Sequence, residues 1–252
     1  MKFVLAICLL VVSVQATDYC EPSLCRKGSS HVACNANPGY GKPDAYTIPF
    51  DSDKQAMIVQ LHNEMRNKIA LGKQNYTKGF YPTAARMTTM QWDDELAFIA
   101  AANARKCVFK HDQCRNTVKY PISGQNIGIF GYGGTRDPDV LITKLFNMWY
   151  AEYKHANPEI TKKYPKGYKG PVIGHFTQVV QDRADRIGCA VTHWTDKPYN
   201  KLYLVCNYAR VNVVGQPVYT PGDVGSQCTT GTNSEFPGLC SPDEVISYKV
   251  YN

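Results

Sequence analysis

One carboxylate and two histidines are the side chains of this sequence best placed to do chemistry. Glu152 stands three residues after Trp149 and seven after Leu145, so a helix through them places its carboxylate on the buried stripe. A buried carboxylate needs a partner, because burial of an unpaired charge is costly. Two interpretations stay open: an arginine or a backbone amide satisfies Glu152, or it is a metal ligand or charges a pocket.

The two histidines are His111, at the end of the second predicted helix, and His175, in the run G-H-F-T-Q at 174–178 that follows a predicted loop. Each histidine alone is more often a structural residue than a ligand. Together with a buried Glu152 they supply two imidazoles and a carboxylate, a combination suited to metal binding or acid–base chemistry.

Three stretches with helical periodicity are expected to position these side chains. The first follows the N-cap candidates at 51–53 and stops at Gly72, and the second runs over about 93–110. The third begins at Asp137-Pro138, a pair typical of helix N-termini, and ends at Asn157-Pro158. Their inner stripes are Met57, Ile58, Leu61, Met65 and Ile69; Leu96, Ile99, Ala100, Asn103, Ala104 and Cys107; and Leu141, Leu145, Met148 and Trp149.

Two strands are predicted at 187–194 and 201–208, with a turn at 196–198 between them, and a third at 126–130. The alternation of Leu202, Leu204, Cys206 and Tyr208 indicates one covered face. Three helices around a central antiparallel sheet give an α/β layered domain.

The N-terminus has the anatomy of a secretory signal peptide. Lys2 precedes an apolar run over 3–14 that is too short to span a bilayer, and Val14-Gln15-Ala16 forms a small-x-small cleavage site. No later run approaches the roughly 20 apolar residues of a membrane span. The sequence therefore predicts removal of residues 1–16 and a secreted, extracellular protein without a membrane span.

The charge is moderately basic. The full chain carries +7, and loss of Lys2 with the signal peptide leaves +6. A cluster of lysines at 162–169 is suited to sulfated glycans or nucleic acid. A solvated basic loop is the favoured interpretation, because no recognition motif accompanies the cluster, and no nucleic-acid partner is predicted.

Nine of the ten cysteines remain after removal of Cys8 with the signal peptide, enough for four bridges and one free thiol. Their clustering at both ends predicts a stapled, loop-rich extension at 17–50 and a disulfide-closed extension at 214–252. Asn75 begins the one N-glycosylation sequon, which fits a surface loop of a secreted glycoprotein.

Five segments, in this order along the chain, resemble motifs of the CAP superfamily of cysteine-rich secretory and pathogenesis-related proteins. They are L-H-N-E-M-R at 61–66, G-Q-N-I at 124–127, W-Y-A-E-Y at 149–153, G-H-F-T-Q-V-V at 174–180 and Y-L-V-C-N-Y-A-R at 203–210. The cysteine pattern of the N-terminal extension and of 107–114 is similar to the insect antigen-5 (venom allergen 5) branch. The resemblance implies a three-layer α-β-α sandwich, the CAP fold, over 51–213.

The family's surface cleft holds two histidines and two acidic residues. Matched residue by residue, His111, Glu152 and His175 occupy three of these positions, and Gln125 takes the fourth, where many members have Glu. Loss of one carboxylate weakens binding of a divalent ion. A His/His/Glu set still suits zinc with an open position. The resemblance thus implies no required cofactor and a conditional zinc or copper site.

The resemblance also implies the disulfide pairing. Relatives pair the position of Cys107 with a fourth N-terminal cysteine, which this chain lacks, so Cys107 is expected to be a buried, inert free thiol on the second helix. The four implied bridges are Cys20–Cys34, Cys25–Cys114, Cys189–Cys206 and Cys228–Cys240.

The function that follows is non-enzymatic: a monomeric protein of insect saliva or venom, and a potential allergen, that binds a small hydrophobic ligand or a host extracellular protein. The sequence has no G-x-S-x-G or H-E-x-x-H motif, and neither histidine has an evident paired nucleophile. The alternative is a divalent-metal-dependent activity, radical scavenging or hydrolysis, at the His/His/Glu cleft.

Overall fold

The structure is a computed structural model that describes residues 17–248; the predicted signal peptide, 1–16, lies outside the described residues. In chain order the helices are α1 (Ser52–Ala70), α2 (Asp94–Ala104), α3 (Pro138–Tyr150), α4 (Pro158–Lys162) and α5 (Gly174–Val179). The strands are β1 (Tyr46–Ile48), β2 (Asn75–Tyr76), β3 (Gly79–Phe80), β4 (Gln91–Trp92), β5 (Gly124–Tyr132), β6 (Arg186–Asp196) and β7 (Tyr199–Tyr208).

The central sheet has the order β1-β6-β7-β5, with antiparallel pairing throughout, and β4 pairs in parallel with β6. The three predicted strands are present and each is longer than predicted. β1 lies within 17–50, so the N-terminal extension supplies an edge strand of the main sheet as well as loops. β2 and β3 form a separate hairpin that carries the exposed Asn75.

Helices cover both faces of the sheet. On β7, Leu202 and Leu204 pack into a core shared with α1, α3 and α5. The alternating residues Tyr203 and Val205 pack into a second core with α2. The expectation of one covered face is therefore wrong for β7, because α2 lies on the opposite side, and the predicted α/β three-layer fold is confirmed.

The second helix is shorter than predicted. α2 ends at Ala104, six residues before Lys110, and the chain turns at Cys107, whose φ of 53° lies in the left-handed region that a helix excludes. Cys107 is therefore buried beside α2 but is not part of it.

The third helix also ends early. α3 stops at Tyr150 and is followed by a 3-10 turn over Ala151–Lys154. Asn157 does not end this helix but caps the next one, since its side chain accepts a hydrogen bond from the backbone N–H of Ile160. Met148, predicted on the inner stripe, is 53% exposed.

Four disulfides hold the chain: Cys20–Cys34, Cys25–Cys114, Cys189–Cys206 and Cys228–Cys240. Cys25–Cys114 joins segments that are 89 positions apart in the sequence. Cys189–Cys206 links β6 to β7, where the two cysteines are directly paired across the sheet. Among the cysteines in the described part of the chain, Cys107 alone is free.

His62 on α1 is fully buried and neutral. Its Nδ1–H donates to the carbonyl oxygen of Ile58 at 2.7 Å, and its Nε2 accepts from the Tyr208 hydroxyl at 2.9 Å. Burial lowers the pKa of His62 to about 3, and the nearby Arg66 charge acts in the same direction. This histidine therefore serves the core and not a site.

The stability of the protein is expected to fall on acidification through His62. Its pKa is lower in the folded than in the unfolded chain, so its contribution is complete above about pH 6.5 and is lost as the pH falls toward 3. Relative to a His62→Gln variant, the wild type should lose about 2–3 kcal/mol of unfolding free energy between pH 7 and pH 4.5. Denaturant titrations of both proteins measure this difference; parallel pH profiles would contradict it.

Candidate functional site

Glu152 and His175 form one half of the site. Glu152 lies in the 3-10 turn after α3, and His175 is the second residue of α5. The ring Nδ1 of His175 lies 2.6 Å from Glu152 Oε1, and the backbone N–H groups of His175 and Phe176 donate to Oε2 at 2.9 and 3.1 Å. Of the two interpretations of Glu152, satisfaction by backbone amides is the one that the geometry shows, with the imidazole as an additional partner.

His111 and Gln125 form the other half. His111 Nδ1 lies 2.7 Å from Gln125 Oε1. The Gln125 Nε2 donates to Asp112 Oδ2 at 2.7 Å and to Asn207 Oδ1 at 3.0 Å. Because both of those partners are acceptors, the amide must present its oxygen to His111, and Nδ1 of His111 must carry a proton.

Asp112 fixes this amide and is itself held firmly. Its carboxylate forms a salt bridge with Arg115 Nε at 2.7 Å and accepts a hydrogen bond from Asn103 Nδ2 at 2.8 Å. The side chain of Asp112 is only 2% exposed. A glutamate at position 125 would place its carboxylate against that of Asp112. With glutamine there, the negative charge belongs to Asp112, which lies behind Gln125 and does not line the cleft.

The imidazoles of His111 and His175 have the same hydrogen-bonding arrangement. Each Nδ1 is bound to a side-chain oxygen, so Nε2 is the ring nitrogen with a free lone pair, and across residues 17–248 neither Nε2 has a protein hydrogen-bond partner. The ring of Trp149 stacks on that of His175 with centroids 5.8 Å apart and fixes its orientation. Histidines that bind a metal ion through one ring nitrogen usually donate the N–H of the other ring nitrogen to an oxygen atom in this way.

His111 and His175 line one polar cleft of about 330 Å³. Burial lowers the pKa of His111, an effect that its hydrogen bond to Gln125 opposes and the charge of Arg115 reinforces. This direction favours the neutral imidazole, which is the form that binds a metal ion. Other side chains of the cleft wall are those of Arg115, Asn126, Tyr164, Gln178 and Asn212.

The implied His/His/Glu ligand set needs correction. Both oxygens of Glu152 are engaged by His175 and Phe176, so the carboxylate orients an imidazole and is not a free third ligand. Within residues 17–248 no group of three or more His, Cys, Asp and Glu side chains is arranged to hold a metal ion. The donor set that remains is two imidazole nitrogens, which suits zinc or copper and not a hard cation such as magnesium.

Asp112 and Arg115 are the members of this site that sequence reasoning missed. Asp112 follows His111 directly and Arg115 comes three residues later, and this spacing of an acidic and a basic residue was the available signal. Cys107 lies outside the lining of the cleft, and burial raises the pKa of its thiol.

In the described part of the chain, no helix is both long and apolar enough to cross a membrane.

Comparison with known proteins gives a consistent assignment. The model of the CAP family, described as the cysteine-rich secretory protein family, matches residues 59–208. Venom allergen-1 of Aedes albopictus is 44% identical over 93% of this chain and 91% of its own length. Venom allergen 5 of Dolichovespula arenaria is 36% identical over 80% of this chain and 98% of its own.

Solved structures agree with these sequence relatives. The crystal structure of NaASP2 with Zn²⁺ is 29% identical, covers 76% of this chain and 96% of its own, and superimposes with a TM-score of 0.65. The structure of BmVAL-1, at 23% identity and a TM-score of 0.62, shares the fold.

Proposed function

Because the chain belongs to the CAP family of cysteine-rich secretory proteins, we propose that it is a secreted, non-enzymatic binding protein whose cleft holds a zinc or copper ion through Nε2 of His111 and of His175. The observation that carries this proposal is the matched pair of imidazoles, each with its Nδ1 proton bound to an oxygen and its Nε2 free. The relative NaASP2, whose crystal structure was determined with Zn²⁺, supports it.

Two ligands leave most of the coordination sphere of the ion open. A zinc ion bound there would supply a Lewis-acidic centre, and water or a group of a bound ligand would complete its coordination. A donor from a small molecule or from a host extracellular protein is suited to that position. The amides and Arg115 of the cleft wall would contact the bound group, so this polar cleft favours a ligand with a polar donor over the small hydrophobic ligand expected from the sequence.

The extracellular and venom or saliva assignment rests on other observations. Four disulfides form in oxidising compartments and are rare in the cytosol. The relatives are named venom allergens, and those from Aedes and Dolichovespula cover most of the chain. Glycosylation of Asn75, which is exposed on the β2–β3 hairpin, is part of the same proposal.

Zinc titration by calorimetry tests the metal site. The wild type should bind one ion, and His111→Gln and His175→Gln should each weaken binding at least tenfold, since each removes one of two ligands. Glu152→Gln should weaken zinc binding by roughly 10- to 100-fold, because it removes the carboxylate that orients the ring of His175.

The control is His155→Gln, which removes an exposed histidine outside the cleft. It should bind zinc like the wild type, and thermal unfolding should show that all four variants are folded. Absence of zinc and copper binding by the wild type, or equal binding by the His111, His175 and His155 variants, would sink the proposal.

A further inference from the structure

A second concave surface lies beside the cleft and is built from the lysine-rich segment. It has a volume of about 560 Å³, within the range of about 300–1,000 Å³ typical of small-molecule sites. Its lining includes two lysines, one glutamate, two tyrosines and an apolar side chain: Glu159, Ile160, Lys163, Tyr164, Lys166 and Tyr168. We call it the lysine–tyrosine pocket; Tyr164 also lines the histidine cleft.

The pocket is held in shape by the backbone. The N–H of Tyr164 donates to the carbonyl oxygen of Gln216 at 2.8 Å, and the carbonyl oxygen of Tyr164 accepts from the N–H of Gly215 at 2.8 Å. Val218 N–H donates to the Thr161 carbonyl oxygen at 2.7 Å. These bonds tie the segment after α4 to 215–218, so the wall is a paired structure and not a free solvated loop.

The outer turn of the pocket contains two glycines. Gly167 has a φ of +60°, in the left-handed region that favours glycine. A Cβ on Gly170 would meet the hydroxyl group of Tyr168, so the absence of a side chain there lets Tyr168 fold back toward the pocket. The side chain of Tyr168 is 38% exposed.

The lysines of this segment have no carboxylate partners. Lys162, Lys163, Lys166 and Lys169 are all exposed, and within residues 17–248 none of them forms a salt bridge. Glu159 is the one acidic residue in 158–169. Glu159 lines the pocket with Lys163 and Lys166, and four lysines against this one glutamate leave residues 158–169 with a net charge of +3.

We propose that the lysine–tyrosine pocket binds a sulfated oligosaccharide of the extracellular matrix. Lysine ammonium groups spread along the rim match sulfate groups spread along a sugar chain, and sulfates keep their charge at every physiological pH. The rings of Tyr164 and Tyr168 offer flat apolar surfaces against which sugar rings pack. A concave wall with aromatic rings favours a sugar over a flat anionic membrane, which would contact the lysines and leave the pocket empty.

Calorimetry with a heparin octasaccharide tests this proposal, with an unsulfated heparosan octasaccharide as the ligand control. The wild type should bind the sulfated ligand and not the unsulfated one. Affinity should fall as salt rises, because the screening length shortens from about 10 Å at 0.1 M to about 3 Å at 1 M. Lys163→Ala/Lys166→Ala should bind roughly tenfold more weakly.

Two further variants separate the pocket from net charge. Lys68→Ala/Lys78→Ala removes two exposed lysines elsewhere and should keep the wild-type affinity. Tyr168→Ala retains every charge and should still weaken binding severalfold. Equal losses in both lysine variants, full affinity in the Tyr168 variant, or binding to phosphatidylserine vesicles without binding to the octasaccharide would each overturn the proposal. Because His111→Gln/His175→Gln should leave octasaccharide binding unchanged, failure here is distinct from failure of the metal site.

Discussion

Replacement of Arg66 by Met is expected to lower the free energy of unfolding by about 4 kcal/mol. Arg66 lies on α1, is fully buried and is surrounded by acceptors that belong to two distant segments, at Thr88 and at 179–181. Its guanidinium donates to the carbonyl oxygens of Thr88, Val179 and Gln181 at 2.8–3.0 Å, and to the Thr88 hydroxyl at 2.9 Å.

The size of this effect follows from what the substitution leaves behind. Burial lowers the pKa of Arg66 to about 10, so the group stays charged at neutral pH. Methionine fills most of the space and removes the buried charge, but the carbonyl groups of Thr88 and Val179 lose the donor that Arg66 supplies, whereas that of Gln181 keeps the N–H of Ala184 at 3.2 Å. Each buried acceptor left without a partner costs about 1–3 kcal/mol. Arg66→Lys keeps the charge but not the planar fork, so it should lose most of the same stability.

Denaturant unfolding without reducing agent measures this loss, so that the disulfides stay intact. Lys68→Met is the matched control, because Lys68 is exposed on the same helix and its loss should change stability by less than about 0.5 kcal/mol. If Arg66→Met unfolds at the same denaturant concentration as Lys68→Met, the hydrogen bonds from Arg66 to the backbone carbonyl groups do not contribute to stability as described. Since Val179 is the last residue of α5, the Arg66 variant should also loosen the helix that carries His175.

The sequence allowed the fold class and the three strands to be predicted because their signals are local. Apolar periodicity and caps locate α1, whose Asp51 accepts from the Lys54 N–H as an N-cap should. The end of α2 could not be predicted in this way. Its apolar stripe continues through Cys107, and only the tertiary course of the chain back toward Cys25 forces the turn there.

The sequence predicted which residues form the candidate site but not how their side chains contact one another. Family motifs bring His111, Gln125, Glu152 and His175 to one cleft, and the structure places all four there or directly behind it. The roles differ from expectation for one physical reason: α3 ends before Glu152, and the 3-10 turn brings its carboxylate onto the backbone amides of α5. No periodicity signal reports such a change of helix type.

Asp112 shows a second limit of sequence reasoning. A glutamine at position 125 looks like the loss of a charge, and by itself it predicts a weaker ion site. The structure shows that the carboxylate of Asp112 bonds to the Gln125 amide and so fixes which of its atoms faces His111. The effect of Gln125 therefore depends on a contact between β5 and the segment after α2, which only the fold reveals.

Removal of the Cys25–Cys114 disulfide by Cys25→Ala/Cys114→Ala is expected to cost about 4.5 kcal/mol of unfolding free energy. The bridge joins residues 89 positions apart, and the entropy lost by the unfolded chain grows with the length of the closed loop. Cys228→Ala/Cys240→Ala opens a loop of 12 positions and should cost about 3 kcal/mol on the same basis. Thermal or denaturant unfolding of the two double variants measures this order.

The Cys25–Cys114 bridge also holds the segment that carries half of the site. Cys114 lies two residues after Asp112, and backbone contacts add to the disulfide: Val32 N–H donates to the Cys114 carbonyl oxygen at 2.9 Å, and Asn116 Nδ2 donates to that of Leu24 at 2.9 Å. If the N-terminal extension positions this segment, loss of Cys25–Cys114 should weaken zinc binding at His111, whereas loss of Cys228–Cys240 should not. Equal zinc affinity in the two variants, with the expected difference in stability, would show that the extension stabilises the fold without shaping the cleft.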